Sequence, residues 1–249
     1  MTLHKDKEVF KIIIEHIEAI AGIDAAIIEK DYFVTMFLQK LTKRLPSMIF
    51  KGGTSLSLCY NVIKRFSEDI DITVDFEDSL TQRQYKEIKQ AVVDVVKALD
   101  LEILNLEDTR SRRDFNQYKI AYPAEFSLLG MKQFLFVETS VSVRSFPTEV
   151  RQVRSMIQEF SEGQNLARYD IKNLRKKYNL EAFPVRTQGL DRTLIDKLFA
   201  LGDYYLTSQE AGHSRHIYDI YKLMPLVKID DNFRALVKEV REVRKESKY

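Results

Sequence analysis

The segment Asp69-Ile-Asp-Ile-Thr-Val-Asp75 constrains the fold more than any other part of the sequence. Its residues alternate strictly between polar and apolar, which is the pattern of a β-strand with one buried face. On such a strand Ile70, Ile72 and Val74 point to one side and the acids point to the other. The chain therefore needs a sheet that buries apolar side chains on one face and keeps carboxylates on the opposite face.

The two acids at the start of this strand have the spacing of metal ligands. Asp69 and Asp71 are two residues apart, about 6.6 Å along a strand, which lets both reach metal ions about 3.5–4 Å apart. Because carboxylates this close repel each other, one pKa should rise unless a cation lies between them. Oxygen ligands suit Mg²⁺ or Mn²⁺ better than zinc. In isolation, a half-exposed edge strand with a polar face also accounts for the pattern.

A glycine pair precedes the acidic strand. The segment Lys51-Gly52-Gly53-Thr54-Ser55 follows the apolar run 48–50 and opens a helical pattern. Glycine lets backbone N–H groups approach phosphate oxygens, and the hydroxyl of Thr54 or Ser55 can contact the same phosphates. A tight strand-to-helix turn also explains this segment when it is taken alone.

A third acid lies in an apolar run further along the chain. Glu138 lies within Phe134–Val141, which is apolar on both strand faces except near this residue. Burying an unpaired carboxylate is costly. Glu138 is therefore expected to be paired with arginine or lysine, protonated, or bound to a metal ion.

The remaining periodicity predicts an α+β fold, with strands in the first part of the chain and helices in the second. Helices are predicted over 8–20, 25–42, 54–63 and 81–99, and strands over 48–50, 69–75, 101–104, 115–121 and 132–144. After Pro147 the pattern is helical, over 150–160, 190–208 and 214–225. We predict a mixed-sheet core with helices over 1–146 and a helical C-terminal domain over 147–249, with the active-site cleft between them.

Composition excludes several classes of protein. The single cysteine, Cys59, cannot form an internal disulfide and leaves no zinc cluster to propose. No run of about 18 uncharged apolar residues is present, and the N-terminus lacks a secretion signal. We therefore expect a soluble cytoplasmic protein with no membrane partner.

The charge of the chain is nearly balanced, with 39 basic and 37 acidic residues. A nucleic acid would therefore be bound by local patches rather than by a global field. Three stretches are candidates: Arg110, Arg112 and Arg113; Lys172, Arg175, Lys176 and Lys177; and Arg241, Arg244, Lys245 and Lys248. For any one of them, a solvated helix face or loop is the more frequent explanation.

The glycine pair, the Asp-x-Asp strand and the later strand acid together resemble the DNA polymerase β-type nucleotidyltransferase superfamily. The stretches Phe50–Leu56 and Arg65–Asp71 are similar, more specifically, to the AbiEii/AbiGii toxin family, which includes the MenT toxins. Three further blocks, Glu29–Tyr32, Arg192–Leu198 and Ser214–Ile220, resemble other motifs of that family. The blocks span most of the chain in the family's order.

This resemblance implies a metal-dependent nucleotidyltransferase, and more specifically a toxin of a toxin–antitoxin or abortive-infection system. Such a toxin would add nucleotides from a nucleoside triphosphate to the 3′ acceptor end of tRNA. Asp69, Asp71 and Glu138 would bind Mg²⁺ or Mn²⁺, and Glu138 would help to deprotonate the acceptor hydroxyl. An antitoxin is expected from a neighbouring gene, with no stable complex required.

The resemblance also implies roles for residues outside the acidic strands. The catalytic set would be Asp69, Asp71, Glu138, Lys197 and Asp219. The nucleotide-binding set would be Lys51, Gly52, Gly53, Thr54, Ser55, Arg65, Ser67, Lys197 and Arg215. Three of these have ordinary explanations: Arg65 as a surface cation, Lys197 as a side chain lying along its helix, and Asp219 as an i,i+4 partner of Arg215.

Two other functions stay open at this point. The same chemistry could act on a hydroxyl of a protein or a small molecule. A non-catalytic partner-binding module could also retain the fold, although the presence of all five residues of the implied catalytic set argues against it.

Overall fold

The computed structural model describes residues 2–67, 69–76, 80–111, 113–163, 171–207 and 214–246. Its fold is α+β, as predicted, with helices packed on a seven-stranded mixed sheet. The helices are α1 (Lys7–Ala21), α2 (Ala25–Arg44), α3 (Gly52–Leu58), α4 (Gln82–Ala98), α5 (Met156–Gly163), α6 (Ile171–Tyr178), α7 (Leu190–Leu206), α8 (Ser214–Leu223) and α9 (Asp231–Glu246). The strands are β1 (Met48–Lys51), β2 (Asp69–Val74), β3 (Glu102–Ile103), β4 (Phe115–Ala121), β5 (Phe134–Ser140), β6 (Thr148–Val153) and β7 (Phe183–Gln188). Short 3-10 helices cover Leu3–Lys5 and Leu106–Asp108.

The acidic strand β2 lies at the centre of the sheet. The strand order is β3-β4-β5-β2-β1-β7-β6. Strand β2 is antiparallel to β1 and parallel to β5, and β7 is parallel to β1. The side chains of β2 are therefore flanked by those of the strand before the glycine pair and those of the strand that carries Glu138.

One face of the sheet is covered by N-terminal helices. Ile70 and Ile72 of β2 are fully buried in a core that contains Phe37 of α2 and Val92 of α4. Helix α4 begins with a capping box in which Thr81 and Gln84 satisfy each other's backbone amides. Because strand residues alternate between faces, this packing directs the acids of β2 to the opposite side.

The C-terminal helices form a second, smaller core. Leu194 of α7, Leu223 of α8 and Phe233 of α9 pack together with Leu56 of α3. Helix α3 begins with the glycine pair. The second core therefore holds α7 and α8 close to the glycine turn and the acidic strand.

The prediction of helix after Pro147 is wrong for two segments. Residues Thr148–Val153, at the start of the predicted helix 150–160, form the edge strand β6, and helix α5 begins at Met156. Val150, Val153 and Ile157 have helical spacing, but Val150 is 67% exposed, and β6 forms a six-residue antiparallel ladder with β7. Pairing along the sheet edge, which the spacing of apolar residues does not reveal, determines the structure here.

Strand β7 was missed altogether, although its residues Phe183, Val185 and Thr187 are buried and alternate with exposed neighbours. The sheet thus continues past Pro147, and the division of the chain into two domains at this point remains a prediction. The other predicted helices and strands are present, most of them within two or three residues at either end. There are two exceptions. Helix α3 ends at Leu58, ahead of a left-handed Asn61, and strand β5 ends at Ser140, four residues before the predicted end. Residue 208, the last of the predicted helix 190–208, lies outside the described residues.

No helix within the described ranges is long and apolar enough to cross a membrane.

Candidate active site

Two of the predicted acids lie side by side at the centre of the sheet. Asp71 is opposite Lys51 on β1 and opposite Glu138 on β5. Residues opposite each other on adjacent strands share a face, so the two carboxylates are direct neighbours. The Nε2 atom of Gln117, on the next strand, donates a hydrogen bond of 2.7 Å to Oε1 of Glu138 and fixes its orientation. Glu138 therefore points toward Asp71.

The site carries an excess of negative charge. Desolvation and the neighbouring charge of Glu138 raise the pKa of Asp71 to about 8, and Asp69 adds to the effect. Lys51 acts in the opposite direction but does not compensate. A divalent cation between these carboxylates would remove the repulsion that raises this pKa.

The carboxylates are suited to a hard metal ion but are not drawn together around one. Within the described residues, no three side chains of Asp, Glu, His or Cys are grouped closely enough to hold a metal ion. Asp71 and Glu138 are in mutual contact, whereas Asp69 lies one pleat away with Arg215 Nη1 3.9 Å from its Oδ2. The donors are all oxygen, which fits Mg²⁺ or Mn²⁺. Asp69, Asp71 and Glu138 as a joint metal site remain a prediction.

The two glycines approach functional side chains from different directions. Gly52 has a left-handed φ of 76°, and a β-carbon there would overlap the carboxylate of Asp71. A β-carbon at Gly53 would lie 2.8 Å from Nη2 of Arg65 and 2.9 Å from Oγ of Ser67. Glycine is thus required for the turn to pass between the acid and the side chains of Arg65 and Ser67.

The hydroxyls after the glycine pair make contacts within the protein. Thr54, which is buried, donates to the backbone carbonyl of Asp69 at 2.5 Å and lies 3.0 Å from Oγ of Ser67. Ser55, also buried, donates to the carbonyl of Gly52 at 2.8 Å. In this structure the hydroxyl of Thr54 fixes the turn against β2, and that of Ser55 is bound within the turn. Contact of either hydroxyl with phosphate remains a prediction.

Asp219 of α8 joins two predicted functional cations. It is fully buried and accepts hydrogen bonds from Nε and Nη2 of Arg65, at 2.8 and 2.6 Å. Lys197 of α7 contributes a third contact, with Nζ 2.7 Å from Oδ2. Burial alone would raise the pKa of Asp219, but the hydrogen bonds from Arg65 and Lys197 outweigh it and lower that pKa. Arg215 points to Asp69 instead, so the alternative i,i+4 pair with Asp219 is not the arrangement seen here.

A cleft of about 290 Å³ opens over the carboxylates. Its walls come from the sheet, the glycine turn, α7 and α8, and its lining residues are Lys51, Gly52, Asp71, Ile72, Phe115, Glu138, Ser140, Gln188, Thr193, Asp196, Lys197, Ala200 and His216. A neighbouring cavity of about 640 Å³ shares Lys51, Ser140, Gln188 and Asp196 with it. Arg65 and Ser67 line a different cavity, of about 510 Å³, that also borders α3. The cleft and the neighbouring cavity thus share part of one wall.

Several residues that line the cleft or contact its acids were not identified from the sequence. Asp196 precedes Lys197 on α7, and its carboxylate accepts hydrogen bonds from Nε of Arg192 at 2.9 Å and Nε2 of Gln188 at 3.0 Å. Gln117 and Phe115 come from β4, which carried no acidic motif. Knowledge of which strands pair would have been needed to place these residues beside Glu138.

The three predicted basic stretches are only partly covered by the described residues. Arg112 and Lys248 lie outside the described residues. In the second stretch Arg175 pairs with Glu162 and Glu181 at 3.2 and 2.7 Å, and in the third Arg244 pairs with Asp203 at 2.6 Å. These stretches remain candidates for contact with nucleic acid, and no role follows from their charge alone.

Comparison with known proteins agrees with the resemblance noted in the sequence. A family model described as nucleotidyl transferase AbiEii toxin, type IV toxin–antitoxin system, matches residues 37–248. No curated protein matches the sequence. Among solved structures, the chain matches the nucleotidyltransferase toxin MenT4 from Mycobacterium tuberculosis H37Rv at 18% identity and a TM-score of 0.39. The match covers 76% of this chain and 57% of that one, so the chain spans little more than half the length of MenT4.

Proposed function

Because the chain belongs to the AbiEii family of nucleotidyltransferase toxins of type IV toxin–antitoxin systems, we propose that it transfers nucleotides from a nucleoside triphosphate to RNA. The proposed acceptor is the hydroxyl at the 3′ end of tRNA. The observation that carries the proposal is the pairing of Asp71 with Glu138 across β2 and β5, at the floor of a cleft that Lys197 also lines. In this proposal the protein acts in the cytoplasm, where both substrates occur.

The reaction replaces one phosphorus–oxygen bond by another. The acceptor oxygen attacks the α-phosphorus of the triphosphate, the bond from that phosphorus to the β-phosphate bridging oxygen breaks, and pyrophosphate leaves. Glu138, held by the amide of Gln117, accepts the proton of the acceptor hydroxyl. Mg²⁺ or Mn²⁺ held by Asp69, Asp71 and Glu138 would supply electrostatic stabilisation of the charge on the phosphates and the attacking oxygen.

The cations of the site are assigned to the triphosphate. Lys197 lies in the cleft and is held in place by buried Asp219, so its charge is available at a fixed position. Lys51, opposite Asp71 on β1, lines the same cleft. Arg65 and Arg215 border the glycine turn and Asp69, respectively, and are assigned to the phosphates farthest from the acceptor. The amides of Gly52 and Gly53, and the hydroxyls of Thr54, Ser55 and Ser67, complete the proposed phosphate-binding set.

An acceptor assay tests the chemistry directly. The protein is incubated with each of the four α-labelled triphosphates and Mg²⁺, in the presence of total RNA, total protein or a metabolite extract. Label is expected in small RNA, with pyrophosphate released in equal amount. Label in protein or metabolites alone would show that the acceptor is a hydroxyl of a protein or a small molecule rather than RNA. Absence of metal-dependent nucleotide binding in calorimetry would indicate a non-catalytic module.

A growth assay tests the proposed toxicity. Expression of the protein is expected to arrest bacterial growth, and Asp69→Ala is expected to abolish the arrest. Asp75→Ala is the matched control, because Asp75 follows the same strand but pairs with Arg186 outside the cleft. Equal toxicity of Asp69→Ala would rule out this site as its source.

The proposed antitoxin is encoded by a neighbouring gene and acts without a stable complex. Co-expression of that gene should restore growth, while the two proteins elute separately from a gel-filtration column. If the two proteins instead elute together whenever growth is rescued, the antitoxin acts by direct binding and inhibition, and the proposed mode of action is wrong.

A further inference from the structure

The face of β4 and β5 that carries Glu138 also carries three phenylalanines. Along β4, exposed or half-buried Phe115, Gln117 and Lys119 alternate with buried residues, and β5 alternates in the same way. The register places Gln117 opposite Glu138 and Lys119 opposite Phe136. These side chains therefore share one face of the sheet. We call the set Phe115, Lys119, Lys132, Phe134 and Phe136 the aromatic face.

Each of two rings on this face has a lysine above it. Nζ of Lys119 lies 4.1 Å from the ring centroid of Phe134, and Nζ of Lys132 lies 4.7 Å from that of Phe136. The two rings are 4.9 Å apart and meet edge to face. Neither lysine forms a salt bridge with another described residue. Both ammonium groups are therefore available to an external anion.

The aromatic face is continuous with the cleft. Phe115, which is 43% exposed, lines the cleft together with Asp71 and Glu138. Phe136 is the register partner of Asp69 and precedes Glu138 by two residues, about 6.6 Å along the strand. Aromatic rings thus flank the proton-accepting carboxylate on β5, on the side of the sheet away from the glycine turn.

We propose that the aromatic face binds the single-stranded 3′ end of the RNA acceptor, an inference that rests on the function proposed above. Bases stack on Phe115, Phe134 and Phe136, and backbone phosphates contact Lys119 and Lys132. Aromatic rings with adjacent cations on an open sheet face suit single-stranded nucleic acid, because bases present flat apolar faces and phosphates present negative charge. Strands β4 and β5 are interior to the sheet, so a protein strand has no free backbone edge to join here.

The aromatic face would select single-stranded RNA without selecting its sequence. Stacking is available to every base, so this face contributes affinity and direction of approach rather than recognition of a particular sequence. It also favours an unpaired end over a duplex, in which the base faces are already stacked. The acceptor end then reaches Glu138 from β4 and β5, while the triphosphate occupies the side of Gly52 and Gly53.

The first test separates stacking from apolar packing. The double variant Phe134→Leu/Phe136→Leu keeps apolar side chains but removes both rings. Its dissociation constant for a 5′-labelled, unstructured eight-nucleotide RNA, measured without triphosphate, is expected to rise about tenfold, with a similar rise in KM for RNA. The KM for the triphosphate and the thermal unfolding midpoint are expected to stay at wild-type values. Tyr221→Leu, which removes a 71% exposed ring outside the cleft lining, is the matched control and should bind RNA normally.

The second test uses the lysines, whose replacement leaves the rings in place. The slope of log K against log salt concentration for a single strand changes by about 0.7 for each phosphate contact. Lys119→Gln/Lys132→Gln is therefore expected to reduce the slope by about 1.4. An unchanged slope together with unchanged binding of the phenylalanine variant would overturn the assignment of this face.

The outcomes distinguish an error about the aromatic face from an error about the proposed function. If the wild-type protein extends RNA and both double variants bind and extend it equally well, the aromatic face is refuted and the function stands. If the wild-type protein transfers nucleotides only to a non-RNA acceptor, the proposed function itself is wrong, and RNA on this face is wrong with it. Loss of antitoxin rescue in the variants, with RNA binding unchanged, would assign the face to a protein partner and refute the RNA proposal.

Discussion

Asp71 in the sheet and Asp219 of α8 are both buried acids, but the charges around them differ. Asp71 is desolvated by burial and lies beside Glu138 with too little positive charge nearby, so its pKa is raised. Asp219 is fully buried, yet Arg65 and Lys197 bind it at three points and its pKa is lowered. The charges of the first arrangement are not balanced by its described neighbours, whereas those of the second are matched within the chain. Like charges held together indicate a binding site, and matched charges indicate a support for its neighbours.

The largest expected effect comes from replacing Asp71 in the sheet. Asp71→Asn should reduce nucleotidyl transfer about a thousandfold, because the uncharged amide is a poor metal ligand. Since the same change removes a repelled carboxylate, the metal-free unfolding midpoint should stay constant or rise. Transfer assays and thermal melts in EDTA measure the two effects, with Asp75→Asn as the control. A large loss of stability in Asp71→Asn would mean that this acid, too, is a structural support.

The opposite result is expected at the buried acid of α8. Asp219→Ala leaves Arg65 and Lys197 without their partner, which should reduce the free energy of unfolding by about 3–5 kcal/mol. Activity should fall as well, because Lys197 loses its fixed position. Urea denaturation checks the stability, and Asp203→Ala, which removes an exposed partner of Arg244, should cost less than about 1 kcal/mol. A similar loss of unfolding free energy in Asp219→Ala and Asp203→Ala would contradict the assignment of Asp219 as a structural support.

The two acids should also give opposite pH dependences. Asp71 holds its proton more tightly in the folded protein, since its pKa rises from 3.8 to about 8, so unfolding releases a proton between these values. Metal-free stability should therefore fall as the pH rises through this window, and Asp71→Asn or added Mg²⁺ should flatten the fall. The lowered pKa of Asp219 contributes stability that is lost only as the pH falls below its ordinary value of 3.8. Melting curves in EDTA from pH 4 to pH 9 measure the first effect, and a flat wild-type profile would contradict it.

The smallest effect concerns the contact that ties the glycine turn to the acidic strand. Thr54→Val removes the hydrogen bond to the carbonyl of Asp69, which should cost about 1 kcal/mol. Thr54→Ser keeps the hydroxyl and should retain most of that stability. Chemical denaturation compares the two variants, and KM for the triphosphate shows whether the turn also holds phosphate. A rise in KM for Thr54→Val alone, with stability unchanged, would make the hydroxyl a ligand rather than a support.

The strands and helices with regular apolar spacing could be predicted from the sequence, and the contacts between them could not. Strict alternation in Asp69–Val74 and helical spacing in Gln82–Ala98 gave both elements nearly to the residue. Strand β6 was predicted as a helix because its apolar residues are few and its pairing with β7 is invisible in local sequence. The acids were identified by motif, but their partners Gln117, Lys51 and Arg65 follow from register and packing.

The parallel pairing of β1 with β7 links the glycine turn to a strand that is made more than 130 residues later. Lys197 and Asp219 come later still along the chain. A ribosome that stops near residue 147 would release a product with an open sheet edge at β1 and with neither of these residues. An interrupted translation would therefore yield a product without the cleft on which the proposed function depends.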